Sequence, residues 1–197
     1  MHTDQTGGTQ WRMFCAFELP ESLRDKLEKH AVKVRDAVPN ATASWSRPDN
    51  IHLTMKFFGN VDQAKVAVIS NALTRVAQEF SPIEIAVGGT GVFPRPSRPQ
   101  VLWIGIDDQT GALAQLQARL EDECARKGFP KEDRAFRPHL TIARIRNLNN
   151  ANRLADAHLR LAFAPVELVL SELVLFRSEL SPKGSKYTPI SRSRLEH

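Results

Sequence analysis

Apolar positions recur along this chain in two rhythms, and the switching between them is the first guide to its fold. Residues 11–19 (WRMFCAFEL) are nearly all apolar or aromatic and end at Pro20, which predicts a buried strand. From Pro20 to Val38, Leu23, Leu27, Ala31 and Val34 recur at helical spacing between charged residues. That segment predicts a helix with Pro20 in its first turn, stopped by Pro39. A short strand is expected at 43–46, a turn at Arg47-Pro48-Asp49-Asn50, and a strand at 51–58 (IHLTMKFF) closed by Gly59-Asn60. A second amphipathic helix is predicted over 62–79, with Asp62 as its cap. Strands at 82–87 and 101–106 follow, joined by a connection at 88–100 full of Gly, Pro and Arg. A third helix is expected at 109–127, ended by Gly128. A loop at 129–137 leads to a strand at 139–145 (HLTIARI), a short helix at 150–158, and strands at 164–170, 173–178 and 186–190.

The order amounts to two similar passes of strands and helices, each with a His-Leu-Thr strand. It predicts one bilobal, internally duplicated α+β domain over residues 11–190 with a cleft between lobes. Residues 1–10 are polar and lack the charged-then-apolar order of a secretory signal, so they are expected to be a flexible lead. Residues 195–197 read as a tag remnant, and His197 and His2 are left out of the functional argument.

Composition narrows the picture modestly. The 197 residues are 42% hydrophobic and 25% charged, as in ordinary globular domains. No apolar run is long enough for a membrane span. Two widely separated cysteines, Cys15 and Cys124, supply neither a disulfide framework nor metal spacing, which points to a reducing cytoplasm. A monomer is expected. Cys15 is expected to be a small core residue. The net charge of +5 favours polyanionic partners such as nucleic acid or phosphorylated metabolites.

The informative chemistry lies in His52-Leu53-Thr54-Met55 and His139-Leu140-Thr141-Ile142. On a strand, residues i and i+2 share a face, so each His projects beside its Thr while the residues between point into a core. A lone strand histidine is usually a satisfied structural residue. A zinc site lacks ligands: there is no Cys pair, no His-x-x-x-His and no adjacent carboxylate, so neither metal nor other cofactor is expected. Hydrolysis of a phosphodiester fits better. It needs a base to activate water and an acid to protonate the departing oxygen, on opposite sides of phosphorus, and histidine serves both roles near neutral pH. Threonine hydroxyls can donate to the non-bridging oxygens, where charge accumulates.

Beyond the motifs, Arg12-Met13-Phe14-Cys15-Ala16-Phe17 with Leu19-Pro20, Trp45-Ser46-Arg47-Pro48, Phe57-Phe58-Gly59, Gly91-Val92-Phe93-Pro94, Val101-Leu102-Trp103, Phe136-Arg137-Pro138 and Ser178-Glu179-Leu180 with Gly184 and Tyr187 are also distinctive. With them the chain resembles the 2H phosphoesterase superfamily, and within it the RNA 2′,3′-cyclic phosphodiesterases once called 2′-5′ RNA ligases, from about Arg12 to Ile190. The resemblance implies antiparallel sheets with helices packed outside and a central cleft. It implies opening of a terminal 2′,3′-cyclic phosphate to a 2′-phosphate, with His52 as proton donor, His139 as proton acceptor, and Thr54 and Thr141 as phosphate ligands. The expected partners are RNA ends or nucleotides bearing a cyclic phosphate. Reverse 2′-5′ ligation, a small cyclic nucleotide or 2′-5′ oligonucleotide as substrate, and a non-catalytic RNA-binding module are the competing readings.

Five further residues are candidate substrate contacts. Lys56 lies two beyond Thr54 and shares the motif face by parity. Arg137 leads into the second motif strand in an extended conformation set by Pro138. Arg144 has the opposite parity from His139 and Thr141, so a phosphate role needs a bulge or a rim position. Phe14 and Tyr187 are candidates for stacking a terminal base. Gly88-Gly89-Thr90-Gly91 lacks the Gly-Lys-Ser/Thr ending of a phosphate loop and reads as a plain turn. Arg95 and Arg98 could line an RNA track but read rather as solvated, and His30 and His158 read as surface or packing residues.

Overall fold

A computed structural model describes residues 9–182 and 184–196. The expected flexible lead, 1–10, falls largely outside them, as do His2 and His197. Two antiparallel sheets carry the fold. The first has the order β3-β1-β8-β9, built from β1 (Gln10–Glu18), β3 (His52–Asp62), β8 (Glu172–Ser181) and β9 (Gly184–Arg194). The second has the order β2-β6-β5-β4-β7, from β2 (Ala43–Trp45), β4 (Ile83–Arg95), β5 (Arg98–Asp107), β6 (His139–Ile145) and β7 (Val166–Leu170).

The duplication is visible in the pairing. Each motif strand lies beside a strand that feeds a helix: β3 beside β1, and β6 beside β5. The helices then change sides. After β1 of the first sheet, α1 (Glu21–Ala37) packs on β6 and on α4 (Ala151–Arg160) of the second. After β5 of the second, α3 (Ala112–Arg126) packs on β3 and on α2 (Val66–Ala77) of the first. Each lobe is therefore completed by a helix from the other's strand sequence.

Both faces of β1 carry buried side chains, which explains its unbroken apolar run. Met13, Cys15 and Phe17 point into the main core beneath the helices, while Phe14 and Ala16 join Val174 and Phe176 in a small cluster on the other face. Cys15 and Cys124 are both buried free thiols, and burial holds both above the usual thiol range.

Several expected boundaries move. β3 continues through Gly59 to Asp62 rather than stopping. Asp62 caps a 3-10 turn at Gln63–Lys65 that precedes α2, accepting from the Ala64 amide at 2.9 Å. Residues 88–100 are not a loop: β4 and β5 form one long hairpin whose register runs from Ala86–Asp107 to Arg95–Arg98. The Gly88–Gly91 stretch is neither turn nor phosphate cradle. Gly89, at φ +70°, is the extra residue of a bulge that a side chain would strain. β9 runs on to Arg194, and Leu195, taken on sequence for a tag remnant, is 5% exposed with its amide donating to the Ser171 carbonyl. The folded unit thus extends past Ile190.

Candidate active site

The motif strands β3 and β6 come from different sheets and approach each other within 8 Å between some Cα pairs. They share an irregularity. The register of β1 against β3 passes from Ala16–Thr54 to Cys15–Lys56, so Met55 is an extra residue. That of β5 against β6 passes from Leu102–Ala143 to Trp103–Thr141, so Ile142 is extra. In both strands the third and fourth residues after the histidine are therefore buried together, Met55 with Lys56 and Ile142 with Ala143. The fifth, Phe57 or Arg144, returns to solvent.

The two bulges decide opposite fates for two sequence candidates. Lys56 does not share the motif face. It is 2% exposed, and its Nζ donates to Glu121 Oε2 at 2.6 Å and to the Pro130 carbonyl at 2.8 Å. Simple alternation failed there because the extra residue inverts the side-chain parity beyond it. The same inversion carries Arg144 toward the His139 side, where its charge acts on that ring.

The histidines are held alike. His52 Nδ1 lies 2.8 Å from the Asn50 carbonyl, and His139 Nδ1 lies 2.7 Å from the Arg137 carbonyl, each two residues back. A carbonyl only accepts, so Nδ1–H donates in both rings and Nε2 is left for chemistry. Arg137 is placed through its backbone; its side chain is exposed. Asn50 is itself fixed by Nδ2 donating to the Ser185 carbonyl at 2.8 Å, and the neighbouring Asp49 pairs with Arg24 at 2.9 Å. On the other side, Ser46 Oγ donates to the Thr141 carbonyl at 2.9 Å. Thr54 and Thr141 are half-buried, each next but one to its histidine.

Aromatic rings flank both imidazoles. Phe14 stacks on His52 with centroids 4.7 Å apart, Phe176 lies behind it, and Tyr187 meets His52 edge-on at 5.2 Å. At 2% exposure Phe14 has no free face for a nucleobase, so its place is to support His52. Tyr187 is half-buried and does line a pocket beside His52, with Glu18, Arg24 and Asp49. His139 meets Phe93 edge-on at 5.0 Å and Trp103 at 6.4 Å. Trp103 lies flat over its cross-strand partner Gly91, where any Cβ would fall inside the indole ring. Phe93, Trp103, Phe176 and Asn50 were not singled out as site residues from sequence. Reading residues 88–100 as strands was the signal that would have placed Phe93 beside the motif.

Burial drives the proton affinity of both rings down. His52 titrates at about 4, despite the opposing pull of the Asn50 carbonyl. His139 is lowered by burial and further by Arg144, against the Arg137 carbonyl. Among the described residues no cluster of three or more His, Cys, Asp or Glu is arranged to hold a metal ion. No helix among them is long and apolar enough to cross a membrane.

The architecture recurs in known proteins. The structure of TT0787 from Thermus thermophilus superposes with a TM-score of 0.76 at 27% identity, over 93% of this chain and 97% of that one. Escherichia coli LigT complexed with 3′-AMP gives 0.75 at 25% identity, over 96% and 100%. By sequence, the RNA 2′,3′-cyclic phosphodiesterase of Methanothermobacter thermautotrophicus is 35% identical over 187 residues, 93% of this chain and 98% of the relative. That of Archaeoglobus fulgidus is 32% identical over 89% and 96%. The family model described as the 2′-5′ RNA ligase superfamily matches residues 23–182. With two sheets, paired His-x-Thr strands and this extent of match, the chain belongs to the 2′-5′ RNA ligase superfamily.

Proposed function

We propose that this protein hydrolyses RNA 2′,3′-cyclic phosphate ends to 2′-phosphomonoesters, with His52 and His139 as its acid and base. The observation that carries this reading is the matched anchoring of the rings, each with Nδ1–H on the carbonyl two residues back and with no partner for Nε2 among the described residues. His139 Nε2 takes a proton from water as the water oxygen bonds to phosphorus. The P–O3′ bond breaks, and Nε2–H of His52 delivers a proton to O3′, leaving a 3′-hydroxyl and a 2′-phosphate. Thr54 and Thr141 donate to the non-bridging oxygens. The step as written uses no metal.

His52, neutral at pH 7 in the free protein, is charged as the phosphodiester anion arrives, because a nearby negative charge favours imidazolium. The leaving oxygen belongs to the ribose, so the terminal nucleoside sits on the His52 side, beside Tyr187. Phe57 and Arg144 occupy matched positions past the bulges, and Phe57 is 49% exposed. A base stacked on Phe57 and a phosphate on Arg144 would extend recognition beyond one nucleotide, which favours RNA over a cyclic mononucleotide.

The test is product analysis on an RNA oligomer ending in a 2′,3′-cyclic phosphate. A 2′-phosphate is expected, with turnover undiminished by EDTA. His52→Ala and His139→Ala should each lower kcat by about a hundred- to ten-thousand-fold without loss of fold. Full activity in either variant, or a 3′-phosphate product, overturns the assignment.

A further inference from the structure

A second pocket opens on the flank of α1 away from the cleft. Successive helical residues are turned by about 100°. Lys26, Lys29 and Lys33 therefore share one flank of α1, while Glu21, Asp25 and Glu28 share the other with Arg24, which lines the cleft pocket. The three lysines line the second pocket with His30, facing the chain that leaves α4 at Phe163. Among the described residues no carboxylate lines it. Among the described residues none of the three lysines has an ion-pair partner, whereas Lys56 and Lys131 each do.

His30 forms its floor and is only 5% exposed. Its Nε2 lies 3.0 Å from Nδ1 of His158, and Nε2 of His158 faces the carbonyls of Gly91 at 3.2 Å and Trp103 at 3.1 Å. Two carbonyls only accept, so His158 carries its proton on Nε2 and accepts at Nδ1, and His30 must donate from Nε2. In the neutral ring His30 Nδ1 is then a lone pair without a partner among the described residues. The His30 residue also lines the pocket.

We propose that this pocket is a second anion site that takes a phosphate group, gripped by Lys26, Lys29 and Lys33 with His30 Nδ1 beneath it. A protonated phosphate oxygen donates to Nδ1 directly. A phosphodiester has no such hydrogen and binds as His30 takes up a proton, its charge offset by the anion. The groups facing His30 are the three lysines, His158 and the Phe163 ring. Binding of a phosphodiester therefore strengthens as pH falls. The phosphate belongs either to a free phosphorylated molecule or to the backbone of RNA whose end is in the cleft. The site stands apart from the catalytic reading, since its occupancy is measurable without turnover.

The experiment is a titration of the whole protein with inorganic phosphate, followed by histidine ring 1H–15N correlation spectra. The His30 and His158 signals should shift saturably and lose that response in a Lys26→Ala/Lys29→Ala/Lys33→Ala variant. The His52 and His139 signals report on the fold and on the cleft of the same variant. An RNA arm separates the sources. If the backbone is the ligand, the triple variant raises KM for a long cyclic-ended RNA, not for a dinucleotide, and reduces the log–log salt slope by about 2. If a free phosphorylated molecule is the ligand, both KM values hold while phosphate binding is lost. A His30 signal unmoved by phosphate, or moved equally in the triple variant, overturns the proposal.

Discussion

Replacing Lys56 with Met asks whether the β3 bulge has truly turned this side chain out of the cleft. The substitution keeps the length of the buried stem and removes its charge. Glu121, 7% exposed, then loses the ammonium at 2.6 Å and keeps two neutral donors, Gln117 Nε2 at 3.1 Å and the Glu132 amide at 3.2 Å. The Pro130 carbonyl loses its donor as well. Breaking one side of a buried ion pair costs about 3–5 kcal/mol. Protonation of the stranded carboxylate caps the penalty at about 4 kcal/mol at pH 7, the cost of neutralising an ordinary carboxylic acid there. With a urea m-value of about 2 kcal/mol/M, the unfolding midpoint falls by about 1.5–2 M at unchanged m. Lys56→Met/Glu121→Leu should recover most of that loss, because an apolar pair replaces both charges. Where the single variant is folded, kcat/KM should stay within about twofold of the parent, as Lys56 makes no substrate contact. A raised KM at an unchanged midpoint would mean that the side chain reaches substrate and that the parity argument is wrong.

Gly91→Ala places a methyl inside the Trp103 ring, so the indole must leave its seat beside His139. Overpacking of this kind costs about 1–3 kcal/mol, read as a lower Tm, and kcat should fall with it. Gly91→Ala with Trp103→Leu should restore the Tm. In pH profiles, the free protein needs His52 charged and His139 neutral. His52 titrates at about 4, so its protonated fraction falls tenfold for each pH unit above that, and kcat/KM should peak on the acid side of neutrality. Bound substrate adds negative charge and raises the pKa of His52, so kcat should peak at higher pH than kcat/KM. A kcat/KM profile flat down from neutrality and falling only well above pH 7 would contradict the burial of His52.

Sequence pattern by itself settled the elements that depend on local rules. The period of apolar residues located α1 and α3 to within a few residues, and strict alternation in His52-Leu53-Thr54 and His139-Leu140-Thr141 put each His and Thr on one face. Glycine and proline misled where they served strands: in 88–100 they permit a bulge and a close aromatic contact inside a hairpin, and both depend on the strand across from them.

Only the tertiary structure decided what lies beyond a bulge. One extra residue in β3 sends Lys56 inward to Glu121, and one in β6 brings Arg144 toward His139; neither Met55 nor Ile142 is a residue type that marks a bulge, since a bulge is set by the partner strand's register. Phe14 reads as a free aromatic until His52 is seen stacked on it. The exchange of α1 and α3 between lobes has no sequence signature either. An amphipathic helix specifies that it will bury a face, but which sheet receives that face depends on long-range packing.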